Sequence, residues 1–166
     1  MNIAVYGFMG VGKTTIGKLL AERLCYDFID MDTEIEKREG TTISEIFRVQ
    51  GEPRFRQLES NLIKELSQQD ELVIACGGGA IADPENAETL SKASRMVYLT
   101  ASIEEIIERT NQDNSRPLLE VENPVTIASE LYERRKPVYT KYAEVTIETT
   151  GKTPDEVVET VLEAMK

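Results

Sequence analysis

Near its start the chain reads 7-GFMGVGKTT-15, a glycine-rich stretch that follows an apolar run and precedes residues at helical spacing. Gly7-x-x-x-x-Gly12-Lys13-Thr14 has the spacing of a phosphate-binding loop, and strand–loop–helix is the context that chemistry requires. Glycines let the backbone wrap closely around an anion and turn its N–H groups inward. The helix N-terminus behind them adds a partial positive charge of roughly half an electron. Lys13 then reaches the β- and γ-phosphates of a nucleoside triphosphate, and the Thr14 hydroxyl can ligate Mg²⁺. Gly10, Val11, Gly12, Lys13, Thr14 and Thr15 are the phosphate-side candidates. No Asn-Lys-x-Asp guanine signature occurs later in the chain, which speaks against a GTPase switch and for a small-molecule or nucleotide kinase.

A kinase needs an acceptor site, and five further stretches could build one. Asp30 and Asp32 end the run 27-DFID-30 and its continuation; a period of two places both carboxylates on one face while strand geometry lasts. One could hold the Mg²⁺ shell, and the other could orient and deprotonate an attacking hydroxyl. Alternatively Asp32 only helps begin a helix over 33–40, for which Thr33 with Glu36 makes a capping box. Arg56 in 55-FRQLE-59 reads, taken singly, as a surface arginine. The run 77-GGG-79 follows a strand and permits close approach of a ligand to backbone N–H groups, with a flexible turn as the alternative. More arginine stands in 116-RPLL-119 and 134-RRKPVY-139. Arginine contacts to carboxylate and phosphate are often bidentate, so spread arginines in an acidic chain suit an acid acceptor.

The elements that must position these residues alternate along the chain. Strand candidates are 2-NIAVY-6, 27-DFID-30, 72-LVIAC-76, 95-RMVYLT-100 and 144-EVTIE-148, and helical patterns such as Ile16, Leu19, Leu20 and Leu24 lie between them. Ser102 with Glu105 and Thr153 with Glu156 read as capping boxes, the second with Pro154 at the first helical position. Val157, Val158, Val161, Leu162 and Met165 form one apolar stripe, expected to be core. Strand–helix alternation predicts an α/β domain with a mostly parallel sheet and helices on both faces. Residues 32–69 hold several helices and no strand. Residues 111–124 are polar and proline-flanked, which composition alone reads as a surface loop.

Composition narrows the chemistry. The chain has 166 residues, expected to form one domain. It contains no histidine, so catalysis must run on carboxylates, lysine, arginine, backbone N–H groups and a hard cation. A net charge of −11 argues against a nucleic-acid partner but leaves room for clustered arginines around a small anion. Cys25 and Cys76 fit neither metal-ligand spacing nor a disulfide framework and are expected to be reduced thiols in or near the core. No apolar run approaches bilayer length and no secretory leader pattern opens the chain, so no membrane partner and a cytoplasmic location are expected.

Taken together, GFMGVGKTT, DMD, FRQLE, GGG, RPLL and RRKPVY, in this order and spacing, resemble the shikimate kinases over essentially the whole chain. The resemblance implies a nucleoside-monophosphate-kinase-like fold with a five-stranded parallel sheet in the order 2-3-1-4-5. It implies transfer of the ATP γ-phosphoryl to the 3-hydroxyl of shikimate, on the route to chorismate and aromatic amino acids, with Mg²⁺ as cofactor and a monomeric enzyme. By motif, Asp32 would bind the acceptor hydroxyls and act as base, and Asp30 would contact the metal through water beside Thr14. Arg56 and Arg135 would grip the shikimate carboxylate; Gly77, Gly78 and Gly79 would line the acceptor site, with backbone N–H groups of the last two offered to ring hydroxyls. Phe47 and Phe55 would form its apolar wall, with Glu59 supporting Arg56. Residues 32–60 would be the acceptor-binding subdomain. Residues 111–124 would be a lid whose Arg116 closes over the phosphates, catalytic together with Lys13 and Asp32. Arg109, with Lys152 and Pro154 opposite, would flank adenine. A related kinase, such as one acting on gluconate, and a nucleotide-binding regulatory module without turnover are the rival readings.

Overall fold

Five apolar runs become five strands, each within one residue of its expected bounds: β1 (Asn2–Gly7), β2 (Asp27–Asp30), β3 (Leu72–Ala75), β4 (Ser94–Thr100) and β5 (Val145–Glu148). The structure is a computed structural model that describes residues 1–7, 11–102, 104–105 and 124–166, leaving aside the side chains of 124–129. The strands form one sheet in the order β2-β3-β1-β4-β5, and every pairing is parallel, as the resemblance implies. The described helices are α1 (Lys13–Leu24), α2 (Met31–Glu39), α3 (Ile43–Gln50), α4 (Glu52–Leu66), α5 (Gly78–Ala82), α6 (Pro84–Ala93), α7 (Pro124–Tyr142) and α8 (Pro154–Ala164). Among them none is long and apolar enough to cross a membrane.

The period of two in the strands divides the core into two layers. Ala4, Tyr6, Ile74, Met96 and Tyr98 face a cluster completed by Leu62, Ile63 and Leu66 of α4 and Ala87 and Leu90 of α6. Ile3, Val5, Val73, Val97 and Leu99 face the other side, where Ile16 and Leu20 of α1 meet Val157, Val158 and Val161 of α8. The C-terminal stripe is therefore core, and burying each such side chain stabilises the fold by roughly 1.5–3 kcal/mol. The Thr153 cap forms as expected: Thr153 Oγ1 accepts from Glu156 N at 3.2 Å with Pro154 at the first position. The Ser102 hydroxyl accepts from Glu105 N at 3.2 Å.

One sequence expectation changes, and one glycine finds its reason. Gly17 lies within α1, where an added Cβ would come 2.7 Å from the Phe28 ring of β2. It serves close helix–sheet packing. Cys76 is buried as expected, but Cys25 is exposed, in the left-handed conformation at φ 57° that ends α1.

Asn2 ties the far edge of the sheet together. Fully buried, it donates from Nδ2 to the carbonyls of Leu66 (3.3 Å) and Gln69 (3.0 Å) and accepts from Leu72 N at 3.0 Å. It thereby joins the end of α4 to the starts of β1 and β3. Asn2→Ala strands these groups without water, so the loss of unfolding free energy in urea is expected to be about 2–4 kcal/mol.

Candidate functional site

The nucleotide side grows from the end of β1. Gly12 precedes α1 at φ 92°, no side chain caps that helix, and its first turn holds no acidic residue. The leading amides of α1 thus face an uncapped, electropositive end, the arrangement that receives phosphate oxygens. Lys13 is buried, and its Nζ donates to the Gly7 carbonyl at 3.1 Å. Val11 is buried beneath the loop and Thr15 is exposed on it.

Asp30 links this loop to the acceptor side. The Thr14 hydroxyl donates to Asp30 Oδ2 at 2.5 Å, while Oδ1 accepts from Thr33 N at 3.1 Å and caps α2. Asp30 and Asp32 therefore do not share a strand face. Pairing of β2 with β3 ends at Asp30, Met31 begins the helix, and Asp32 stands in its first turn. Nor does Thr33 with Glu36 cap that helix. Asp30 does, and the Glu36 carboxylate instead accepts from Ile43 N at 2.9 Å. The Thr14 hydroxyl and Asp30 carboxylate are hard oxygen donors, and among the described residues no group of three or more His, Cys, Asp or Glu could hold a metal ion. That sparse set fits Mg²⁺, which takes one or two protein oxygens and relies on substrate phosphates and water for the rest.

Across from the loop, three glycines decide the geometry. They do not form a turn: Gly77 precedes α5, and Gly78 and Gly79 begin it. A Cβ on Gly77 would sit 3.0 Å from Glu59 Oε2 and 3.1 Å from Asp32 Oδ1. On Gly78 it would press on Arg135 Nη1 at 3.1 Å and Tyr139 Oη at 3.2 Å, and on Gly79 it would overlap the Arg56 guanidinium. Gly77 thus makes room for two carboxylates and Gly78 and Gly79 for one guanidinium each, so Asp32, Arg56, Glu59 and Arg135 converge on a single stretch of backbone. Arg56, far from being an isolated surface arginine, donates to Glu59 Oε1 at 2.7 Å and to Glu52 Oε1 at 3.1–3.2 Å. Its guanidinium lies 5.4 Å above the Phe55 ring, which packs against Phe47 with centroids 5.1 Å apart. Arg135 arrives on α7 and is only 7% exposed.

Glu59 is the most deeply placed of these charges, at 1% exposure. Burial pushes its carboxyl up to about 7; Asp32 acts in the same direction, while Arg56 and Arg135 pull against it. Tyr139, to which the sequence reading gave no part, is fully buried and donates its hydroxyl to the Gly78 carbonyl. Only its place in 134-RRKPVY-139 hinted at it. Lys152 is exposed two residues before α8, and Pro154, also exposed, begins that helix. Gly10, Arg109, Arg116 and positions 111–123 of the expected lid lie outside the described residues.

The chain is similar to known kinases along almost its whole length. The shikimate kinase family model matches residues 9–166. A shikimate kinase of Thermodesulfovibrio yellowstonii is 47% identical over 97% of this chain and 92% of its own length. The shikimate kinase of Acinetobacter baumannii in complex with shikimate superposes with a TM-score of 0.96 at 41% identity, covering 99% of this chain and 92% of that one. A gluconokinase from Sinorhizobium meliloti 1021 matches at a TM-score of 0.57 and 17% identity, over 99% of this chain and 90% of its own, which is a likeness of fold alone.

The raised Glu59 carboxyl has a consequence for stability. Its folded value lies above the ordinary 4.5, so the native state holds this proton more tightly than the unfolded chain. The stabilisation is complete below about pH 4.5 and is lost as pH rises through about 7, by on the order of 3 kcal/mol. Glu59→Gln is expected to flatten that stretch of a stability–pH profile measured by urea unfolding from pH 5 to 8. An unchanged slope would assign the proton to another group.

Proposed function

The chain belongs to the shikimate kinase family, and on that premise we propose that it transfers the γ-phosphoryl group of ATP to the 3-hydroxyl of shikimate, giving shikimate 3-phosphate and ADP. The observation that carries the choice of acceptor is the seating of two guanidinium groups against Gly78 and Gly79, with the Asp32 carboxylate beside them. Two forked cations meet the carboxylate of a small acid, and Asp32 lies where a ring hydroxyl would be presented.

Phosphoryl transfer asks the protein mainly for positioning and charge neutralisation. Lys13 turns from the Gly7 carbonyl to the β- and γ-phosphates, and the leading amides of α1 hold their oxygens. Thr14 and Asp30, the latter through water, would hold Mg²⁺, which would supply neutralisation of phosphate charge when bound. Arg116 adds positive charge from the lid, and Arg109 with Lys152 and Pro154 flanks adenine. On the acceptor side Arg56 and Arg135 grip the carboxylate, Gly77–Gly79 receive the ring, and Phe47 and Phe55 wall it. The 3-hydroxyl oxygen then bonds to the γ-phosphorus as the bond to the β–γ bridging oxygen breaks. ADP leaves with that oxygen, and the hydroxyl proton passes to Asp32 or on to water. A loose transition state makes orientation by Asp32 weigh more than its basicity. The protein works as a monomer.

Coupled ADP-release assays with ATP and Mg²⁺ test the reaction. Turnover is expected with shikimate and not with gluconate or without acceptor; equal ADP release in all three would overturn the proposal. Arg56→Ala is expected to weaken shikimate binding by about 2–4 kcal/mol and leave ATP affinity almost unchanged. Equal loss of both affinities would make the residue structural.

A further inference from the structure

The second half of 134-RRKPVY-139 has no task in the reaction as derived so far. Tyr139 follows Arg135 by one helical turn, so both side chains leave α7 on the same face. Its hydroxyl donates to the Gly78 carbonyl, and the Arg135 guanidinium stands beside that same glycine. The two groups close on one spot, 3.1 and 3.2 Å from where a Gly78 Cβ would stand. The Gly78 carbonyl and the Gly79 N–H are opposite ends of one planar peptide unit, so gripping the oxygen fixes the direction of the N–H.

Tyr139 is itself held from two sides. Its ring packs edge-on to Tyr6, with centroids 5.6 Å apart, and tilted against Tyr98 at 5.3 Å. Tyr6 Oη donates to the Tyr139 backbone carbonyl at 2.6 Å, in the last turn of α7, where helical partners run out. Tyr6 stands on β1 immediately before Gly7, whose carbonyl receives Lys13 Nζ. The same strand end therefore sets both the phosphate-side lysine and the tyrosine. Burial pushes the Tyr139 hydroxyl up to about 12, which keeps it a proton donor throughout the working range of pH.

We propose that Tyr139 is a positioning residue for the acceptor, whose hydroxyl fixes the Arg135 guanidinium and the Gly78–Gly79 peptide together as one receiving surface. The inference rests on the functional reading above, because it concerns how that acceptor is received. A hydroxyl that merely satisfied buried polar atoms would affect folding and nothing else. One that aims Arg135 and the Gly79 amide affects shikimate selectively.

Tyr139→Phe keeps the ring and deletes only the hydroxyl, and Tyr98→Phe deletes a hydroxyl from the same aromatic group that bonds neither Gly78 nor Tyr139. For Tyr139→Phe, the KM for shikimate and its calorimetric Kd without nucleotide are expected to rise about tenfold, with KM for ATP within twofold. For Tyr98→Phe, shikimate affinity within twofold of the unsubstituted protein is expected. Unchanged shikimate affinity in Tyr139→Phe overturns the proposal. So does an equal rise in both KM values, or an equal loss of shikimate affinity in both variants. Absence of shikimate-dependent ADP release in the unsubstituted protein would instead defeat the functional reading, a result read before either variant is made.

Discussion

Two cations and two carboxylates, Arg135 and Glu59 buried and Arg56 and Asp32 half-buried, converge because the backbone facing them carries no side chains. Charges withdrawn from water are costly unless each finds a counter-charge at close range. Here Glu59 lies under Arg56 at 2.7 Å, and Asp32 and Arg135 complete the balance around it. Gly77, Gly78 and Gly79 are the condition for that closeness, since a methyl group at any of the three would push on one of the four. The rest of the acceptor side follows from this constraint. Arg56 comes from α4, Asp32 from α2 and Arg135 from α7, so three helices separated in sequence must converge on one short segment after β3.

The nucleotide side obeys simpler physics. A parallel sheet brings the carboxyl ends of its strands to one edge, and the crossovers reverse direction beside the central β1. Lys13, Asp30 and the glycine trio all follow such strand ends. Asp30 joins the two halves. One of its oxygens receives Thr14 of the phosphate loop, and the other caps the helix that carries Asp32. The loop at Thr14 and the helix turn that carries Asp32 thus share one carboxylate.

What could be read from the sequence was what is local or periodic. Alternating apolar runs located the strands, and Gly7-x-x-x-x-Gly12-Lys13-Thr14 is legible because its parts are contiguous. The end of β2 was not, because Asp30 and Thr33 compete to cap α2. The winner is set by where pairing with β3 stops, forty-five residues onward at Ala75. Gly17 is illegible for a similar reason: the atom that forbids a side chain there belongs to Phe28 on another element. Glu59 could be found from its spacing of three from Arg56 on one helix face, but its burial could not. Tyr139 bonds a carbonyl sixty-one positions away, and nothing near it in the chain points there.

The knot at Asn2 bears on motion as well as on stability. It fastens α4 at Leu66, the end remote from the glycines, while Arg56 sits ten residues back toward the other end. At 1.5 Å per residue that is a rod of about 15 Å pinned at its tail. A pivot of only about 5° would carry the guanidinium through about 1.3 Å, the difference between gripping a small acid and missing it. Leverage of this kind puts the smallest travel at the anchor and the largest where the acid is held.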